Sequence, residues 1–326
     1  MTVLVANRLN GPVGTVPTAA SLAASGTAGT VSIASANPAV GGRAEYSGTH
    51  TVHGLSTIRL DSGHHRNNTP RLTVPLPESG PWWVRWYLWM PHLQDAGLGI
   101  DEVRWVARFP SAGMGLVYHE TASGNIGSRL QPDDLAATSV GWDVQEGTAV
   151  PVGQWLRVEL SSDGTNFTSS VSNEDGSLTR VHTWTGRTFS GSIEITGYRY
   201  RRGVLLQPGD NDAARGDTAV SDMQLALMEL GYDLPTWGAD GDYGQETVNA
   251  VLAFQQDHGY AVVDGIAGPE TLAGIDLALR LHRDEGYPPS LWVSHVAVSD
   301  SGPLGPAELP RRAASAGLVL SGSAVG

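Results

Sequence analysis

An eight-residue pattern occurs twice in the last third of the chain and restricts its fold more than any other feature. Asp-Gly-x-x-Gly-x-Glu-Thr begins at Asp240 and again at Asp264, an offset of 24 residues. The Asp-Gly pair predicts a tight turn, because glycine adopts the positive φ angles that such turns need. We expect the second glycine to allow close approach at a helix N-terminus, where the glutamate suits the helix dipole. The repeat therefore predicts two similar loop-to-helix units.

Residues with helical spacing surround both copies. A first helix is predicted from Val220, where apolar residues recur every three or four positions, and Gly231 can end it. A third helix is predicted over 270–282. The second helix places four residues on one face: Val248, Val251, Leu252 and Gln255. The repeat thus lies within a small bundle of three helices.

This arrangement resembles the peptidoglycan-binding domain family of bacterial and phage cell-wall proteins over 220–275, with Leu230-Gly-Tyr232 before the first copy and 250–255 between the copies. The resemblance implies a compact three-helix bundle that binds muropeptide or glycan in a shallow groove. The alternatives are that the repeat only builds the fold, and that the module serves as a protein-interaction or spacer domain. By position and chemistry, the candidate contact residues are Trp237, Asp240, Tyr243 and Tyr260.

Residues 1–207 have an all-β pattern, with short alternating runs between turn residues. In the clearest strand, 81–91, Trp82, Val84, Trp86, Leu88 and Met90 share one face, and Trp83, Arg85, Tyr87 and Trp89 share the other. Further strands are predicted at 56–60, 71–75, 103–109, 115–119, 155–161, 167–172, 179–185 and 191–200. So many short strands indicate a two-sheet sandwich.

The strand motif at 153–160, the turn at 163–164 and the closing run at 296–300 resemble concanavalin A-like sandwiches of lectins, laminin-G-like modules and phage structural proteins. The fold class expected is therefore multi-domain: an all-β jelly-roll or concanavalin A-like sandwich with an inserted three-helix peptidoglycan-binding module. The expected divisions are a sandwich at 1–207, a linker at 208–217, the helical module at 218–283, a linker at 284–290, a returning strand of the sandwich at 291–306 and a Gly/Ala/Pro-rich tail at 307–326.

The sequence contains no recognisable catalytic motif. Laminarinase-type glycosidases of this sandwich class carry closely spaced carboxylates on one strand, such as Glu-x-Asp-x-x-Glu, and no such strand occurs. Nucleophile-elbow, phosphate-loop and zinc-helix motifs are absent as well. Cysteine is absent, and His64-His65 is interpreted as a solvated loop. We therefore predict no catalytic residue, no metal and no cofactor.

Three aromatic residues of the 81–91 strand are a candidate sugar-binding platform. Trp83, Tyr87 and Trp89 share a face and could stack on sugar rings if that face were open. The alternative is that both faces of the strand are core or interface. We name these three residues the aromatic platform.

Charge and the N-terminal sequence restrict partners and location. The net charge is -13, which argues against nucleic acid and anionic membranes. The first residues lack the basic and apolar regions of a signal peptide, so we expect neither export nor membrane anchoring. All 20 basic residues are arginine, which is typical of a GC-rich genome.

The leading interpretation is a non-enzymatic virion protein of an actinobacteriophage, a minor tail or fibre-like component. It is expected on the particle surface after synthesis in the host cytoplasm, as a homo-oligomer among other virion proteins. Its expected ligand is host cell-wall peptidoglycan or glycan. The alternatives are a capsid decoration protein with the same adhesive module, and a cell-wall hydrolase or endolysin that the module targets.

Overall fold

The chain forms a β-sandwich and a small helical module, as predicted for the fold class. The predicted His64-His65 loop, positions 284–288 of the predicted second linker and the tail at 307–326 lie outside the described residues. The computed structural model describes residues 2–34, 42–63, 69–92, 102–120, 126–132, 150–174, 178–201, 205–283 and 289–304.

Within these ranges the first sheet contains nine antiparallel strands. With labels in chain order, they are β1 (Val3–Asn7), β2 (Gly26–Ala28), β4 (Arg43–Val52), β5 (Leu55–Asp61), β7 (Trp82–Trp89), β11 (Trp155–Ser162), β12 (Phe167–Asn173), β13 (Thr179–Trp184) and β16 (Pro289–Ser299). Their order is β13-β12-β11-β7-β16-β1-β2, and β5 joins β16 to β4.

The second sheet contains seven strands in the described part of the chain. They are β3 (Ser32–Ala34), β6 (Arg71–Pro75), β8 (Glu102–Phe109), β9 (Met114–Glu120), β10 (Ile126–Pro132), β14 (Ser192–Thr196) and β15 (Arg199–Arg201). Their order is β10-β9-β8-β14-β6-β3, and β15 pairs with β8. The predicted strand at 191–200 is therefore two strands, β14 and β15.

Alternating apolar residues of both sheets fill the space between them. Trp82 and Trp86 of β7 point into this space and are fully buried. Phe109 of β8 meets Phe167 of β12 edge to face, with ring centroids 5.2 Å apart. Removing one such aromatic side chain from water contributes about 2 to 3 kcal/mol to folding, so these residues hold the two sheets together.

The strand that follows the helical module lies inside the first sheet. β16 pairs with β7 along 292–299, with β5 along 289–293 and with β1 along 296–299. In chain order, the helical module therefore lies between β15 of the second sheet and β16 of the first. Because β16 is paired with neighbouring strands on both sides, it is an integral strand of the sandwich and not a terminal strand added at its edge.

An irregular stretch of β16 contains a strained histidine. His295 has a φ of 49°, in the left-handed region that few non-glycine residues adopt. Its buried ring lies 2.6 Å from the Ser294 hydroxyl and packs edge-on against His53. Burial, followed by electrostatic repulsion from His53, Arg85 and Arg8, lowers the pKa of His295 to about 4. This imidazole is therefore neutral in the folded protein above that pH.

Replacing His295 by asparagine, which tolerates positive φ, is expected to reduce the dependence of stability on pH. Below the ordinary histidine pKa of 6.5 the unfolded chain binds a proton at His295, but the folded chain stays neutral down to about 4. The stability present above pH 6.5 is therefore lost as the pH falls toward 4. At pH 5 the loss is about 2 kcal/mol relative to pH 7.5.

Denaturant unfolding of both proteins at the two pH values measures this effect. The quantity to compare is the difference between wild type and His295→Asn. Burial raises the pKa of Asp61 to about 6, so Asp61 titrates in the same range with the opposite sign. The same pH dependence in both proteins would show that His295 is not the responsible group.

The helical module consists of residues 205–283, which include α2 (Asp212–Arg215), α3 (Ala219–Glu229), α4 (Gln245–Asp257) and α5 (Pro269–His282). The earlier helix α1 (Ala19–Ser25) belongs to the sandwich region. The module has its own apolar core, which includes Leu227, Val251 and Phe254. Leu206 belongs to this core and pairs with Ala267 in an isolated bridge.

The stretch 208–217 is solvent-exposed, as predicted, but it is an ordered part of the helical module, so the prediction of a linker there is wrong. The Asp212 carboxylate accepts hydrogen bonds from the N–H groups of Val220 and Ser221, at 2.8 and 3.0 Å. The Asp212 N–H donates to the Gly241 carbonyl at 2.9 Å. The acidic side chain thus satisfies free N–H groups at the start of α3 and attaches this stretch to the first repeat.

α5 is packed between the module core and the outer face of the second sheet. On the sheet side, Ala273 lies in a buried cluster with Trp105, Val117 and Tyr198. The Trp105 and Tyr198 rings meet edge-on at 6.4 Å, and the Arg108 guanidinium lies 5.7 Å from the Trp105 ring. The helical module is therefore docked on the sandwich through α5.

Candidate functional site

The first copy of the repeat is held by the amide of a buried glutamine. Gln224 of α3 is only 1% exposed, and its Oε1 accepts from the Gly241 N–H at 2.9 Å. Its Nε2 donates to the Asp240 carboxylate at 3.0 Å, the Asp242 carbonyl at 2.9 Å and the Thr247 hydroxyl at 2.9 Å. One side chain thus fixes the Asp-Gly loop and the start of α4 against α3.

The second copy is held in the same way by Gln255 of α4, which is 2% exposed. Its Oε1 accepts from the N–H groups of Asp264 and Gly265, at 3.1 and 3.0 Å. Its Nε2 donates to the Asp264 carboxylate at 3.1 Å, the Ile266 carbonyl at 3.0 Å and the Thr271 hydroxyl at 3.2 Å. α3 and α4 therefore each carry a buried glutamine that positions the repeat loop following that helix.

The glycines of the repeat have two different roles. Gly241 and Gly265 have φ angles of 78° and 70°, so the predicted tight turns are present. Gly244 and Gly268 are the N-cap residues of α4 and α5 in extended backbone. An added Cβ would meet nothing within 4 Å at Gly244 and only an ordinary contact at Gly268. The prediction of a close approach at these second glycines is therefore wrong.

Two of the predicted contact residues are core residues of the module. Tyr243 is 2% exposed, and its hydroxyl donates to the Gly265 carbonyl at 2.8 Å, which links the two repeat copies. Tyr260 is 8% exposed, and its hydroxyl donates to the Glu270 carbonyl at 3.2 Å. Burial raises the pKa of both hydroxyls above the usual range. Neither ring can stack on a ligand, so both assignments as contact residues are corrected.

The other two predicted residues lie on the surface. Trp237 is 73% exposed in the loop between α3 and α4, and Asp240 is exposed in the first repeat. Glu246 accepts hydrogen bonds from the N–H groups of Thr236 and Trp237 at 3.1 and 3.2 Å. These bonds, chiefly those of Thr236, hold the pKa of Glu246 below its usual range. We name Trp237, Asp240 and Glu246 the Trp237 surface.

The aromatic platform of the sandwich is partly covered. Residues 48–54, the irregular last part of β4 and the turn that leads to β5, are here called the hairpin tip; they fold over the platform and bury Tyr87 to 1% exposure. His50 in this tip stacks on Trp89 at 4.1 Å, and the Thr51 carbonyl accepts from the Trp155 indole at 3.0 Å. Tyr87 is therefore not available to a sugar, and its assignment is corrected.

Trp83 and Trp89 are the half-buried members of the aromatic platform. Trp89 is covered on one side by the His50 ring. Trp83 lies at the opposite end of β7 from Trp89, where it faces an open groove on the first sheet. The three residues therefore do not form one continuous stacking surface.

No group of three or more His, Asp or Glu side chains among the described residues is placed to hold a metal ion. None of their helices is both long enough and apolar enough to cross a membrane.

Known proteins share the helical module with this chain. Residues 216–275 match the family described as "Putative peptidoglycan binding domain". A probable N-acetylmuramoyl-L-alanine amidase of Bacillus licheniformis is 38% identical over 76 residues, 23% of this chain and 20% of the amidase. The amidase CwlM of Mycobacterium tuberculosis is 37% identical over 84 residues, 26% of this chain and 20% of the amidase. The chain thus spans about a fifth of the length of these relatives.

Among solved structures, the CBM2 module of the evolved Dit protein from Lactobacillus casei BL23 phage J-1 aligns with a TM-score of 0.33 and 11% identity. The alignment covers 61% of this chain and 89% of that module. A similarity this low carries no functional conclusion for the chain.

Proposed function

We propose that the helical module binds bacterial peptidoglycan and that the chain acts as a non-enzymatic adhesive protein. The observation that carries this proposal is the match of 216–275 to the peptidoglycan-binding family, in a module whose core and repeat loops are complete. The Trp237 surface supplies the contact. Its indole offers a flat apolar face, and its two carboxylates accept hydrogen bonds from sugar hydroxyls and amide N–H groups.

The test is co-sedimentation of the full chain with purified, insoluble peptidoglycan. Trp237→Ala is expected to weaken binding at least about tenfold, which corresponds to about 1.4 kcal/mol. Val262→Ala is the matched control, because Val262 is an apolar residue of the same module with 65% exposure. Equal binding of wild type and Trp237→Ala would place the contact elsewhere on the module.

The location of the protein is a further part of the proposal. We place it on the surface of an actinobacteriophage particle, as a minor tail or fibre-like component whose sandwich contacts other virion proteins in a homo-oligomer. A capsid decoration protein is the alternative within the same class. The arginine-only basic residues, typical of a GC-rich genome, support an actinobacterial host. Mass spectrometry of purified particles tests the virion location. Recovery only from the soluble fraction of the lysate would contradict a virion location.

The amidase relatives favour a second candidate, a cell-wall hydrolase that the module targets. However, the family match lies in the binding domain, and no catalytic domain is shown for the rest of the chain. Release of soluble muropeptides from purified walls distinguishes this candidate from the adhesive one.

A further inference from the structure

The outer face of the first sheet carries hydroxyl and carboxylate side chains beside one indole. Trp83 of β7 lies opposite Ser161 of β11, which lies opposite Thr168 of β12. Two residues along, Glu159 of β11 lies opposite Ser170 of β12. Side chains two residues apart on a strand share a face, so all five point away from the sandwich core. All five are half-buried, and each retains contact with solvent.

These five side chains line an open groove, which we name the Trp83 groove; the four polar ones form its floor and Trp83 forms one side. Pro303 and Leu304, which follow β16, form one wall of it. Serine and threonine are short, so the floor beside the indole is recessed. The groove therefore presents an aromatic side, a polar floor and an apolar wall to one bound molecule.

The side chains of the floor and the pairing of the strands beneath them restrict the kind of ligand that the groove can bind. The Glu159 carboxylate lies 3.4 Å from the Arg157 guanidinium and opposite the buried Arg85 of β7, so it is not an unpaired charge that would select a charged ligand. The hydroxyl groups of the floor disfavour a wholly apolar molecule. β11 is paired with β7 on one side and β12 on the other, and β12 is paired with β13 as well. Since these strands have no free edge, a peptide could not add to the sheet as another strand. A ligand must be recognised by side chains alone.

We propose that the Trp83 groove binds a ring of a neutral oligosaccharide. The apolar C–H face of a pyranose stacks on the Trp83 indole. Its hydroxyl groups donate to the Glu159 carboxylate and exchange hydrogen bonds with Ser161 and Ser170. The Arg157 guanidinium, 3.4 Å from the Glu159 carboxylate, helps to orient that acceptor. This site is separate from the Trp237 surface and does not depend on its function.

The experiment is isothermal titration calorimetry of the full chain with chitotetraose and with cellotetraose. All proteins carry Trp237→Ala, so that binding at the helical module does not contribute. We expect at least one sugar to bind, and Trp83→Ala to weaken that binding at least tenfold. Glu159→Gln, which keeps the shape of the side chain, is expected to weaken it severalfold. Val16→Ala, at an exposed apolar residue elsewhere on the sandwich, is expected to leave it unchanged.

The variants also separate loss of the site from loss of the fold. Wild-type circular dichroism and thermal midpoint for Glu159→Gln, together with weaker sugar binding, support the groove as the site. Absence of binding by both sugars, or unchanged affinity in Trp83→Ala, would overturn the proposal. Loss of wall sedimentation in Trp237→Ala with sugar binding retained shows that the two surfaces act independently.

Discussion

Gln255→Ala is expected to unfold the helical module. The substitution removes an amide that makes five hydrogen bonds, two as acceptor and three as donor. A buried polar group left without a partner costs about 1 to 3 kcal/mol, and several groups of the Asp264 loop lose theirs together. We expect a loss of about 4 kcal/mol in the free energy of unfolding, which is large for one substitution. Helical circular dichroism in a denaturant titration measures it.

The neighbouring residue provides the matched control. Gln256 lies in the same helix but is exposed, so Gln256→Ala should change stability by less than about 0.5 kcal/mol. The two variants have the same composition and differ only in which amide is removed. Equal stability of the two proteins would mean that the hydrogen bonds of Gln255 do not hold the second repeat.

Ala273→Arg is expected to separate the helical module from the sandwich. Ala273 is 8% exposed against Trp105, Val117 and Tyr198, so an arginine there would overfill the contact and bury a charge. We expect a loss of about 3 kcal/mol from this interface. Calorimetry should show one cooperative transition for wild type and two for the variant, because the two units then unfold independently.

Ala261→Arg is the control for this substitution. Ala261 is an exposed residue of the same module, so the same change in size and charge should leave one transition there. A single transition for Ala273→Arg at an unchanged temperature would show that the contact with the second sheet contributes nothing to cohesion.

Local signals account for the elements that could be predicted. The helices of the module follow from apolar spacing, and β7 follows from its alternation, because each pattern is contained in a short stretch. α5 carries apolar residues on more than one face, among them Leu272, Leu277 and Leu281, as expected of a helix buried on two sides. Its contact with the sandwich could have been inferred from that pattern.

Elements with weaker patterns were missed. β1 is short, and β4 is interrupted by the polar residues of the hairpin tip, so neither has a clear alternation. α1 has only seven residues, although Thr18 and Ser21 form the capping box that marks its start. A capping box without a long apolar run does not identify a helix from sequence alone.

The candidate site is built by side-chain hydrogen bonds between distant residues, which the spacing of residues in the sequence does not reveal. Gln224 and Gln255 act on loops 16 and 9 residues further along, so the repeat alone did not reveal them. The only signal was the position of Gln255 on an apolar helix face. Tyr243 and Trp237 are both aromatic residues of the segment between α3 and α4, but the fold buries Tyr243 and exposes Trp237. Which aromatic residue reaches solvent is decided by tertiary packing.

The most direct test of the account is incubation of the purified full chain with washed, insoluble actinobacterial peptidoglycan. After centrifugation, both the distribution of protein and the release of soluble muropeptides are measured. The account predicts that the protein sediments with the walls and that the walls remain intact. Folded protein that stays in the supernatant would contradict wall binding by the helical module, and release of muropeptides would contradict a purely adhesive role.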